Sequence, residues 1–468
     1  MSAIDETVKS KDSQAERTAE ILEHAFTIAR EVVDGENILP SRPEGWFADG
    51  PHLSSAGHEL DEVIEAVRQV ITETPSSAGS RFFNQLFGGR DPVATFAEIL
   101  TTLTNTSMYT FKVAGPQILI EKEVVARMAA KVGYENGDGI LAPGGSMANL
   151  TALIVARNEA VSGVRDAGFD GTRYTVYTSE AGHYSTRKNA GIVGLGRDSV
   201  REVATDGRGR MDVACLKRMI AEDRAVGFIP IMINATAGTT VLGAFDPLSE
   251  IAEVAESEKV WMHVDGALGG SVLLSEKHRH LLEGSQLADS FTWNAHKMMG
   301  VPLSCSAILM KERGLLGRHF NEDAGYLFQA DVDDLNPGTR SIQCGRRNDA
   351  LKLWAAWLYH GDEGYRARLD HLFDLAHFAA DRIKADPALD LVASPESIAV
   401  CFEVKGSSAG DICRCLDLEN RLKVGFGEVA GRQAIRLVCV NPDLEEQDIA
   451  FALDEIKGAG GQRRQERA

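Results

Sequence analysis

Apolar residues recur at helical spacing in two segments near the start of the chain, residues 15–33 and 59–73. Such spacing places the apolar side chains on one face and is typical of an amphipathic helix. Residues 34–56 between the two segments are rich in Gly, Pro and Ser and predict an extended linker. Two helices cannot enclose a core of their own, so this arm must pack against its own chain or against a second copy.

Short apolar runs alternate with helical patterns in the middle of the chain, between residues 174 and 270. Strands that are apolar throughout and are separated by helices predict a mostly parallel sheet that is covered on both faces. The predicted strands are residues 174–178, 227–234 and 260–264, and the predicted helices are residues 213–222 and 247–256.

The last third of the chain mixes helical and strand patterns and predicts a smaller α+β unit. Its predicted helices are 350–359, 365–384, 409–422 and 445–456, and its predicted strands are 389–393, 398–404, 424–428 and 433–440. The predicted fold class is therefore α/β. We predict three parts, an N-terminal helical arm and linker (1–80), a large domain (81–355) and a small C-terminal α+β domain (356–468).

The charge balance of the 468 residues excludes some classes of partner. The formal net charge is −19 and the sequence pI is near 5.1, whereas binding to nucleic acid or an anionic membrane needs a basic surface. Seven scattered cysteines without metal-site spacing favour free thiols in a reducing cytoplasm, and no metal site is predicted. No run of about 18 apolar residues occurs, so no membrane span is expected.

Candidate chemistry begins with Lys297 and Asp265. Lys297 lies between polar residues and the apolar run 298–303, which predicts a partly desolvated amine suited to imine formation with a carbonyl. Asp265 follows the predicted strand 260–264, where a carboxylate can pair with a protonated pyridine nitrogen. An isolated lysine after a strand is usually a surface residue. The two groups together are the minimal apparatus for pyridoxal 5'-phosphate (PLP) chemistry.

Other polar residues fall at comparable positions. His183 and Thr236 follow the two other predicted strands, and ligands of parallel sheets collect at the carboxyl ends of strands. Gly144, Gly145 and Ser146 precede a predicted helix at residues 150–160, where backbone N–H groups favour an anion. Alone, a Gly-Gly-Ser of this kind is more often an ordinary turn with a serine cap.

Eight short segments, in this order, resemble the group II PLP-dependent amino-acid decarboxylases, and most closely the glutamate and cysteine sulfinate decarboxylases. The segments are 82–87 (FFNQLF), 143–146 (PGGS), 183–185 (HYS), 234–240 (NATAGTT), 263–265 (HVD), 293–297 (WNAHK), 343–346 (QCGR) and 435–438 (IRLV). The resemblance extends from about residue 15 to about residue 457. It implies fold type I, a homodimer with shared active sites, and decarboxylation of an L-amino acid.

The resemblance also implies roles for individual residues. The catalytic residues would be Lys297, which forms the aldimine with PLP, Asp265, which keeps the pyridine nitrogen protonated, and His183, which stacks on the ring. The other residues implied to bind the cofactor are Gly145, Ser146, Met147, Thr236, Ala267, Asn294 and His296, with Cys344 and Gly345 from the partner subunit. Arg436 would pair with a substrate carboxylate, and Gln85, Phe87, Ser107 and Tyr109 would line the side-chain pocket.

The pocket residues bear on substrate size. Glutamate decarboxylases usually have serine at the position of Phe87 and asparagine at that of Ser107, whereas this chain is similar to cysteine sulfinate decarboxylases there. A phenylalanine fills volume, so we expect aspartate, cysteine sulfinate or cysteate to be preferred over glutamate by about 1–3 kcal/mol. A glutamate decarboxylase is the alternative within the same class.

The loop formed by residues 330–341 has no predicted helix or strand and is typical of a mobile lid. It contains no tyrosine, although a lid tyrosine usually protonates the α-carbon in this family. Leu335 aligns near that position, and Tyr326 lies before the loop. Either His183 or a water protonates the carbon, or the enzyme is a decarboxylation-dependent oxidase or aldehyde synthase. A catalytically silent PLP-binding homologue is a third reading, which the retained lysine, aspartate, histidine and arginine disfavour.

Overall fold

The computed structural model of the chain describes residues 3–40, 52–53, 55–322 and 333–467. The helices are α1 (Ala3–Asp34), α2 (Leu60–Thr72), α3 (Pro92–Thr104), α4 (Phe111–Ala114), α5 (Pro116–Val132), α6 (Gly145–Ala160), α7 (Val164–Ala167), α8 (Ser185–Ile192), α9 (Val213–Ala225), α10 (Leu248–Glu258), α11 (Leu315–Phe320), α12 (Ala350–Ala385), α13 (Ala409–Leu418) and α14 (Glu446–Arg467). The strands are β1 (Asp138–Ala142), β2 (Tyr174–Ser179), β3 (Val200–Val203), β4 (Ile229–Thr236), β5 (Trp261–Gly266), β6 (Ser290–Asn294), β7 (Ser306–Met310), β8 (Leu389–Leu391), β9 (Ala399–Val404), β10 (Gly425–Val429) and β11 (Arg432–Val438).

The larger sheet has the strand order β1-β7-β6-β5-β4-β2-β3. The neighbours from β6 to β3 pair in parallel, whereas β7 is antiparallel to both β6 and β1. The prediction of a mostly parallel sheet in an α/β fold is therefore confirmed. The sequence analysis identified β2, β4 and β5 but did not predict β1, β3, β6 and β7.

Each face of the larger sheet has its own core, because successive side chains of a strand point to opposite faces. On β4, Met232 belongs to a core that includes Leu153 of α6, whereas Ile233 belongs to a core that includes Ile220 of α9 and Ile251 of α10. Helices therefore cover both faces of the sheet, as the continuous apolar strands predict. This burial leaves the ends of the strands as the place where polar side chains can meet.

The smaller sheet is antiparallel, with the order β10-β11-β9-β8. It packs with α13, α14 and the second half of α12 in a separate hydrophobic core. The two helices predicted at 350–359 and 365–384 form one element with a kink at Gly361, whose φ of 63° suits glycine. The predicted domain boundary between residues 355 and 356 lies inside α12, and the division into domains stays a prediction.

The predicted N-terminal helices correspond to α1 and α2, which contact each other through an ion pair of 2.8 Å between Arg68 and Glu31. No side chain of α2 is buried. Most of the predicted linker, residues 41–51 and 54, lies outside the described residues. Among the helices that the structure describes, none is long and apolar enough to cross a membrane.

Candidate active site

The carboxyl ends of β4, β5 and β6 bring three predicted site residues together. In the parallel register Thr236 pairs with Asp265, and Asp265 pairs with Thr292, two residues before Asn294. Lys297 follows directly in the turn after β6. The parallel strands thus place the candidate lysine, carboxylate and hydroxyl at one edge of the sheet, as the sequence predicts.

The amine of Lys297 lies in a strongly desolvated position. Burial, the largest cause, lowers its pKa from the ordinary value, while the charge of Asp265 opposes the shift and that of Arg436 adds to it. A lowered pKa favours the neutral amine, which is the nucleophilic form. Lys297 is therefore within electrostatic reach of both the candidate ring partner and the candidate substrate-binding residue.

Asp265 is buried, with 4% of its surface exposed. One carboxylate oxygen accepts a hydrogen bond of 2.7 Å from Asn149 Nδ2, and the other accepts one of 3.1 Å from the backbone N–H of Ala267. These two donors fix the orientation of the carboxylate. Asn149 was not among the predicted site residues. Its position one turn into the helix after the Gly-Gly-Ser segment is the sequence feature that could have identified it.

His183 lies in the loop between β2 and α8 and is half-buried. Its Nδ1 accepts a hydrogen bond of 3.2 Å from the backbone N–H of Ser185, which leaves the proton of the neutral ring on Nε2. Burial lowers the pKa of the His183 imidazole; the charge of Asp265 opposes this and that of Lys297 adds to it. Near neutral pH the ring is therefore uncharged and can donate from Nε2.

The N-terminus of α6 forms an anion cradle. The helix begins at Gly145 after Gly144, whose φ is 120°, and no side chain caps its first turn. A Cβ on Gly145 would lie 2.7 Å from Asn294 Nδ2 and 3.3 Å from the Ala267 methyl group, so glycine is required there. Uncapped first-turn N–H groups at residues such as Ser146 are donors for a phosphate. Met147 is partly buried in the same turn, and its N–H already bonds to Gly144 O at 3.1 Å.

Buried oxygens at this edge have no hydrogen-bond partner within the described residues, among them Thr236 Oγ1 and Asn294 Oδ1. An unpaired buried polar atom is costly, and a ligand that bonds to it removes the cost. Together with the cradle at Gly145, these atoms suit a phosphorylated polar ligand such as PLP.

His296 is buried beside the same turn. Its Nδ1 lies 2.9 Å from Cys305 O and 3.0 Å from Cys305 N. Burial is the largest cause that lowers its pKa, to about 4, so the ring is neutral at physiological pH. The sequence prediction places His296 beside the phosphate, and that role stays a prediction.

Arg436 is a partly buried residue on β11 of the smaller sheet. Its Nη1 donates to Thr240 O at 2.7 Å and its Nη2 donates to Asn84 O at 2.6 Å, which hold the guanidinium in place. Its Nε has no partner in the described part of the chain, and burial lowers its pKa. Of the neighbouring pocket candidates, Gln85 is exposed and Phe87 is partly buried, with its ring 6.4 Å from that of Phe82.

Six of these residues, with the cradle at Gly145, form what we call the strand-end group. They are His183, Thr236, Asp265, Asn294, Lys297 and Arg436. The remaining candidates lie on two loops that hydrogen bonds join, and we call them the loop group: Ser107, Tyr109, Cys344 and Gly345. Ser107 Oγ lies 3.5 Å from Cys344 O and accepts a hydrogen bond of 3.2 Å from the N–H of Arg346. Cys344 and Gly345 are exposed.

A buried arginine that the sequence analysis did not assign holds the loop group. Arg346 forms a buried ion pair with Glu121 of α5 and donates to Met108 O and to Leu141 O at 3.1 Å. These bonds connect the loop containing Ser107 to the segment containing Cys344. Arg346 is the last residue of the segment 343–346 (QCGR), and this position is the sequence feature that could have identified it.

The described part of the predicted lid contains two short 3₁₀ turns, Asp333–Leu335 and Pro337–Arg340, although no regular structure was predicted. It packs on the loop group, since the N–H of Gly338 donates to Tyr109 O at 2.9 Å. Asp334 pairs with Lys122 at 2.5 Å. Tyr326 and residues 330–332 lie outside the described residues.

A desolvated lysine, a carboxylate at a neighbouring strand end and a helix N-terminus that fits a phosphate define a PLP-dependent enzyme of fold type I. The family model of the pyridoxal-dependent decarboxylase conserved domain matches residues 48–405. The chain therefore belongs to the pyridoxal-dependent decarboxylase family, its cofactor is PLP, and the predicted resemblance is confirmed.

Individual relatives agree with this assignment. Human cysteine sulfinic acid decarboxylase is 44% identical over 431 residues, which cover 87% of each chain. Mouse acidic amino acid decarboxylase GADL1 is 37% identical over 87% of this chain and 78% of its own. Among solved structures, mouse CSAD has a TM-score of 0.89 at 36% identity and covers 95% of this chain and 99% of that one.

Proposed function

We propose that this chain decarboxylates a short acidic L-amino acid, with aspartate, cysteine sulfinate or cysteate preferred over glutamate. The names of its relatives, a cysteine sulfinic acid decarboxylase and an acidic amino acid decarboxylase, support the acidic substrate class. The family supplies the carboxy-lyase reaction. The choice among acids is argued from the residues of this chain.

The observation that carries the acidic preference is Arg436. None of the described carboxylates forms an ion pair with this partly buried guanidinium, and its Nε is unpaired. A desolvated charge without a partner is costly, and a planar guanidinium suits a bidentate carboxylate or sulfinate. Its charge also reaches Lys297, where the reacting carbon would lie. A substrate with a second acidic group meets both requirements.

The strand-end group is proposed to hold the cofactor. When bound, PLP supplies an aldehyde that reacts with amines and a ring that withdraws electrons from the substrate as carbon dioxide leaves. Lys297 Nζ, lowered in pKa by burial, is the amine that attaches it. Asp265 would hold the proton on the pyridine nitrogen, and Ala267 and His183 would contact the two faces of the ring. Asn294, His296 and the first turn of α6 hold the phosphate.

Phe87 is proposed to shorten the pocket. The residue is partly buried beside the loop that donates Asn84 O to Arg436. An aromatic ring at this position takes volume that the extra methylene of glutamate needs. Exclusion of one methylene accounts for about 1–3 kcal/mol, so we expect overlap among acids rather than strict selection.

The return of a proton to the α-carbon is the step at which a second candidate function arises. Residues 330–341 contain no tyrosine, so His183 Nε2, or a water, is proposed as the proton donor. If neither donates rapidly, molecular oxygen could oxidise the decarboxylated substrate instead, giving an aldehyde, ammonia and hydrogen peroxide, and the enzyme would be a decarboxylation-dependent oxidase or aldehyde synthase. The missing lid tyrosine is the observation that favours this candidate.

A homodimer with shared active sites is part of the proposal. Helix α3 exposes a row of apolar side chains, among them Phe96 (62% exposed) and Leu103 (57%), and Leu358 and Tyr359 of α12 are also exposed. Exposed apolar surface of this extent is typical of an interface. The exposed Cys344 and Gly345 of the loop group would then approach the phosphate in the partner's site.

A cytoplasmic location is proposed from the cysteines. All seven are free, and all but Cys344 are buried. Burial raises the pKa of several of these thiols, to about 12 for Cys401, Cys413 and Cys439, which makes them poor nucleophiles. A reducing compartment is where such a set of unpaired cysteines is usual.

The function is tested with purified protein and PLP. Carbon dioxide release is measured for aspartate, cysteine sulfinate, cysteate and glutamate, with aromatic and basic L-amino acids as controls. We expect the highest kcat/KM for one of the three short acids. A clear glutamate preference would contradict the substrate choice, and an aromatic or basic preference would contradict the acidic class.

The second candidate is tested by product analysis with and without oxygen. A simple decarboxylase yields one amine for each carbon dioxide under both conditions. Aldehyde and peroxide that form only in oxygen would favour the oxidase, and their absence rejects it.

A further inference from the structure

Residues at alternate positions of β5 point to the same face of the sheet, so Trp261, His263 and Asp265 form a row beneath α6. Ser290 of β6 pairs with His263 in the parallel register and joins this row from the neighbouring strand. Asn149 of α6 reaches it from above. The PLP chemistry proposed above uses only Asp265 from this set.

These side chains are connected by a continuous series of hydrogen bonds. Trp261 Nε1 donates to Ser290 Oγ at 2.9 Å, and Ser290 Oγ lies 2.8 Å from His263 Nδ1. His263 Nε2 lies 3.1 Å from Asn149 Oδ1, and Asn149 Nδ2 donates to Asp265 Oδ2 at 2.7 Å. Four bonds therefore lead from a partly exposed tryptophan to the buried carboxylate.

The chemistry of the two ends fixes the direction of every bond. An indole N–H can only donate, and an ionised carboxylate can only accept. Asn149 Nδ2 donates to Asp265, so its Oδ1 faces His263 and can only accept, which requires the proton of the neutral imidazole to be on Nε2. His263 Nδ1 then accepts the hydroxyl proton of Ser290, whose oxygen accepts from Trp261 Nε1.

The neutrality of His263 supports this direction. The ring is fully buried, and burial, the largest cause, lowers its pKa to about 4; the charge of Asp265 and a contact with the backbone of Ser290 oppose the shift without offsetting it. A neutral imidazole has one donor and one acceptor nitrogen. When Nε2 donates to Asn149, Nδ1 must therefore accept from Ser290. Thr292 Oγ1 also lies near, 3.4 Å from Nε2, but it is not part of the series.

We propose that Trp261, Ser290, His263 and Asn149 are positioning residues, which form a one-way hydrogen-bond chain that orients the NH₂ group of Asn149 toward Asp265 and so fixes the carboxylate for the pyridine nitrogen of PLP. Each donor is directed toward the carboxylate, and successive bonds in a buried chain polarise one another. A reversed Asn149 amide would place its oxygen against the carboxylate of Asp265. The repulsion would displace Asp265 and weaken its hydrogen bond to the pyridine ring. The inference rests on the proposed role of Asp265.

The two hydroxyls next to His263 provide a matched pair for the test. Ser290→Ala removes a hydroxyl that belongs to the chain, and Thr292→Val removes one that does not, at two fully buried positions of the same strand. We expect Ser290→Ala to weaken PLP binding about tenfold, the scale seen when an outer partner is lost at metal sites. Thr292→Val should leave the affinity within about twofold. Equal affinities of the two variants would overturn the proposal.

Trp261→Phe removes the outermost donor of the chain at a partly exposed position. We expect PLP to bind about threefold more weakly, because a distant bond acts only through polarisation. Dissociation constants are measured by fluorescence titration of the cofactor-free protein, and thermal melts confirm that each variant is folded. An affinity equal to that of the wild type would remove Trp261 from the chain.

A direct readout is the tautomer of His263, measured by ¹⁵N NMR of protein with labelled histidine and assigned with a His263→Gln variant. We expect a neutral ring protonated on Nε2. A proton on Nδ1, or a charged ring, would overturn the one-way chain. Asp265→Asn distinguishes the proposed role of Asp265 from the hydrogen-bond chain. If the variant binds PLP normally, the proposed role of Asp265 fails, whereas the His263 tautomer of the wild type still tests the chain.

Discussion

The strand-end group and the loop group differ in how completely one chain builds them. In the strand-end group, Asp265 and Lys297 are desolvated, and the fixed hydrogen bonds of Asn149 and Ala267 orient the carboxylate. In the loop group, the backbone is held from behind by the buried Arg346, while Cys344 and Gly345 face solvent. One group is enclosed by its own chain, and the other is a rigid surface that presents its residues outward.

This difference separates two tasks of the proposed enzyme. The burial that lowers the pKa of Lys297 requires a dry, packed sheet edge, which a single chain can form. Closing the site over a substrate requires a second wall, and an exposed but well-supported loop can supply it to a neighbouring subunit. Breaking each group in turn therefore tests the proposed division.

The largest effect is expected for Lys297→Ala. Without the amine that attaches the cofactor, decarboxylation should fall by more than about a thousandfold, the scale of lost covalent and acid–base catalysis. The absorbance of the protein-bound cofactor in the visible range should also disappear. Assays of carbon dioxide release and absorbance spectra check both. Retained turnover would assign the attachment to another residue.

Arg436→Gln should reduce kcat/KM for acidic substrates by about a hundredfold, as expected when a charge-assisted bidentate contact of about 1.5–3 kcal/mol is lost. Arg432→Gln on the same strand is the matched control, because Arg432 is exposed and pairs with Glu403 and Asp390. Steady-state kinetics on both variants give the comparison. Equal effects of the two substitutions would exclude a specific role for Arg436.

Acid should destabilise the cofactor-free protein through buried His296. Its pKa is lowered by burial to about 4, so below an unfolded value near 6.5 the unfolded chain binds a proton that the folded chain rejects. Stability is thus lost as the pH falls, by about 2 kcal/mol between pH 7 and pH 5 for this group. Burial of Asp246 raises its pKa to about 6 and acts in the opposite direction.

Urea unfolding of wild type and His296→Gln at pH 7 and pH 5 checks this prediction. The variant should lose about 2 kcal/mol less over that range. A change at the exposed His280 is the control and should not alter the difference. If His296→Gln loses as much stability as the wild type, the buried ring does not contribute to the pH dependence.

Phe87→Ser should raise kcat/KM for glutamate relative to cysteine sulfinate by about tenfold, because it restores the volume that one methylene needs. Activity on the shorter acids should be retained, which shows that the strand-end chemistry is intact. Competition assays with the two acids measure the ratio directly. A ratio that does not change in a folded, active variant would remove Phe87 from the pocket.

The extent of sequence prediction differs between the two groups for physical reasons. His183, Thr236 and Asp265 were predicted together because parallel strands end at one edge of the sheet. In the sequence, the end of each strand is marked by a change from apolar to polar residues. The strand β6 was not predicted, because a short apolar run such as that around Phe291 and Trp293 is compatible with either a helix or a strand. The family resemblance supplied the loop-group residues, since no periodic pattern marks them.

Long-range partners account for what sequence patterns could not provide. Asn149 and His263 are 114 positions apart, and Arg346 and Glu121 are 225 apart, so only the packed fold brings either pair together. Pairings of this kind depend on which helix lies over which strand. Periodicity describes the face that a residue occupies, but it does not identify the side chain that faces it from another element.

The smallest and most discriminating effect is expected from mixed dimers. Gly345→Asp places a carboxylate in open space, since apart from its two chain neighbours no described residue lies within 4 Å of an added Cβ, so the variant should fold. If Gly345 approaches the partner's phosphate, the variant dimer should be inactive, as is Lys297→Ala. Co-expression of the two variants then yields heterodimers with one intact site, and activity should recover to about a quarter of wild type for random pairing in a two-fold dimer.

The control for complementation is a mixture of Lys297→Ala with Arg436→Gln. Both changes fall in the strand-end group, so every site in the heterodimer carries one of them and no recovery is expected. If instead Gly345→Asp with Lys297→Ala also fails to recover, although size-exclusion chromatography shows mixed dimers, both groups act within one chain. In that case each loop group would serve the site of its own chain, and neither subunit of the mixed dimer would have a complete site. The outward-facing loop group would then differ from the enclosed strand-end group only in solvent exposure.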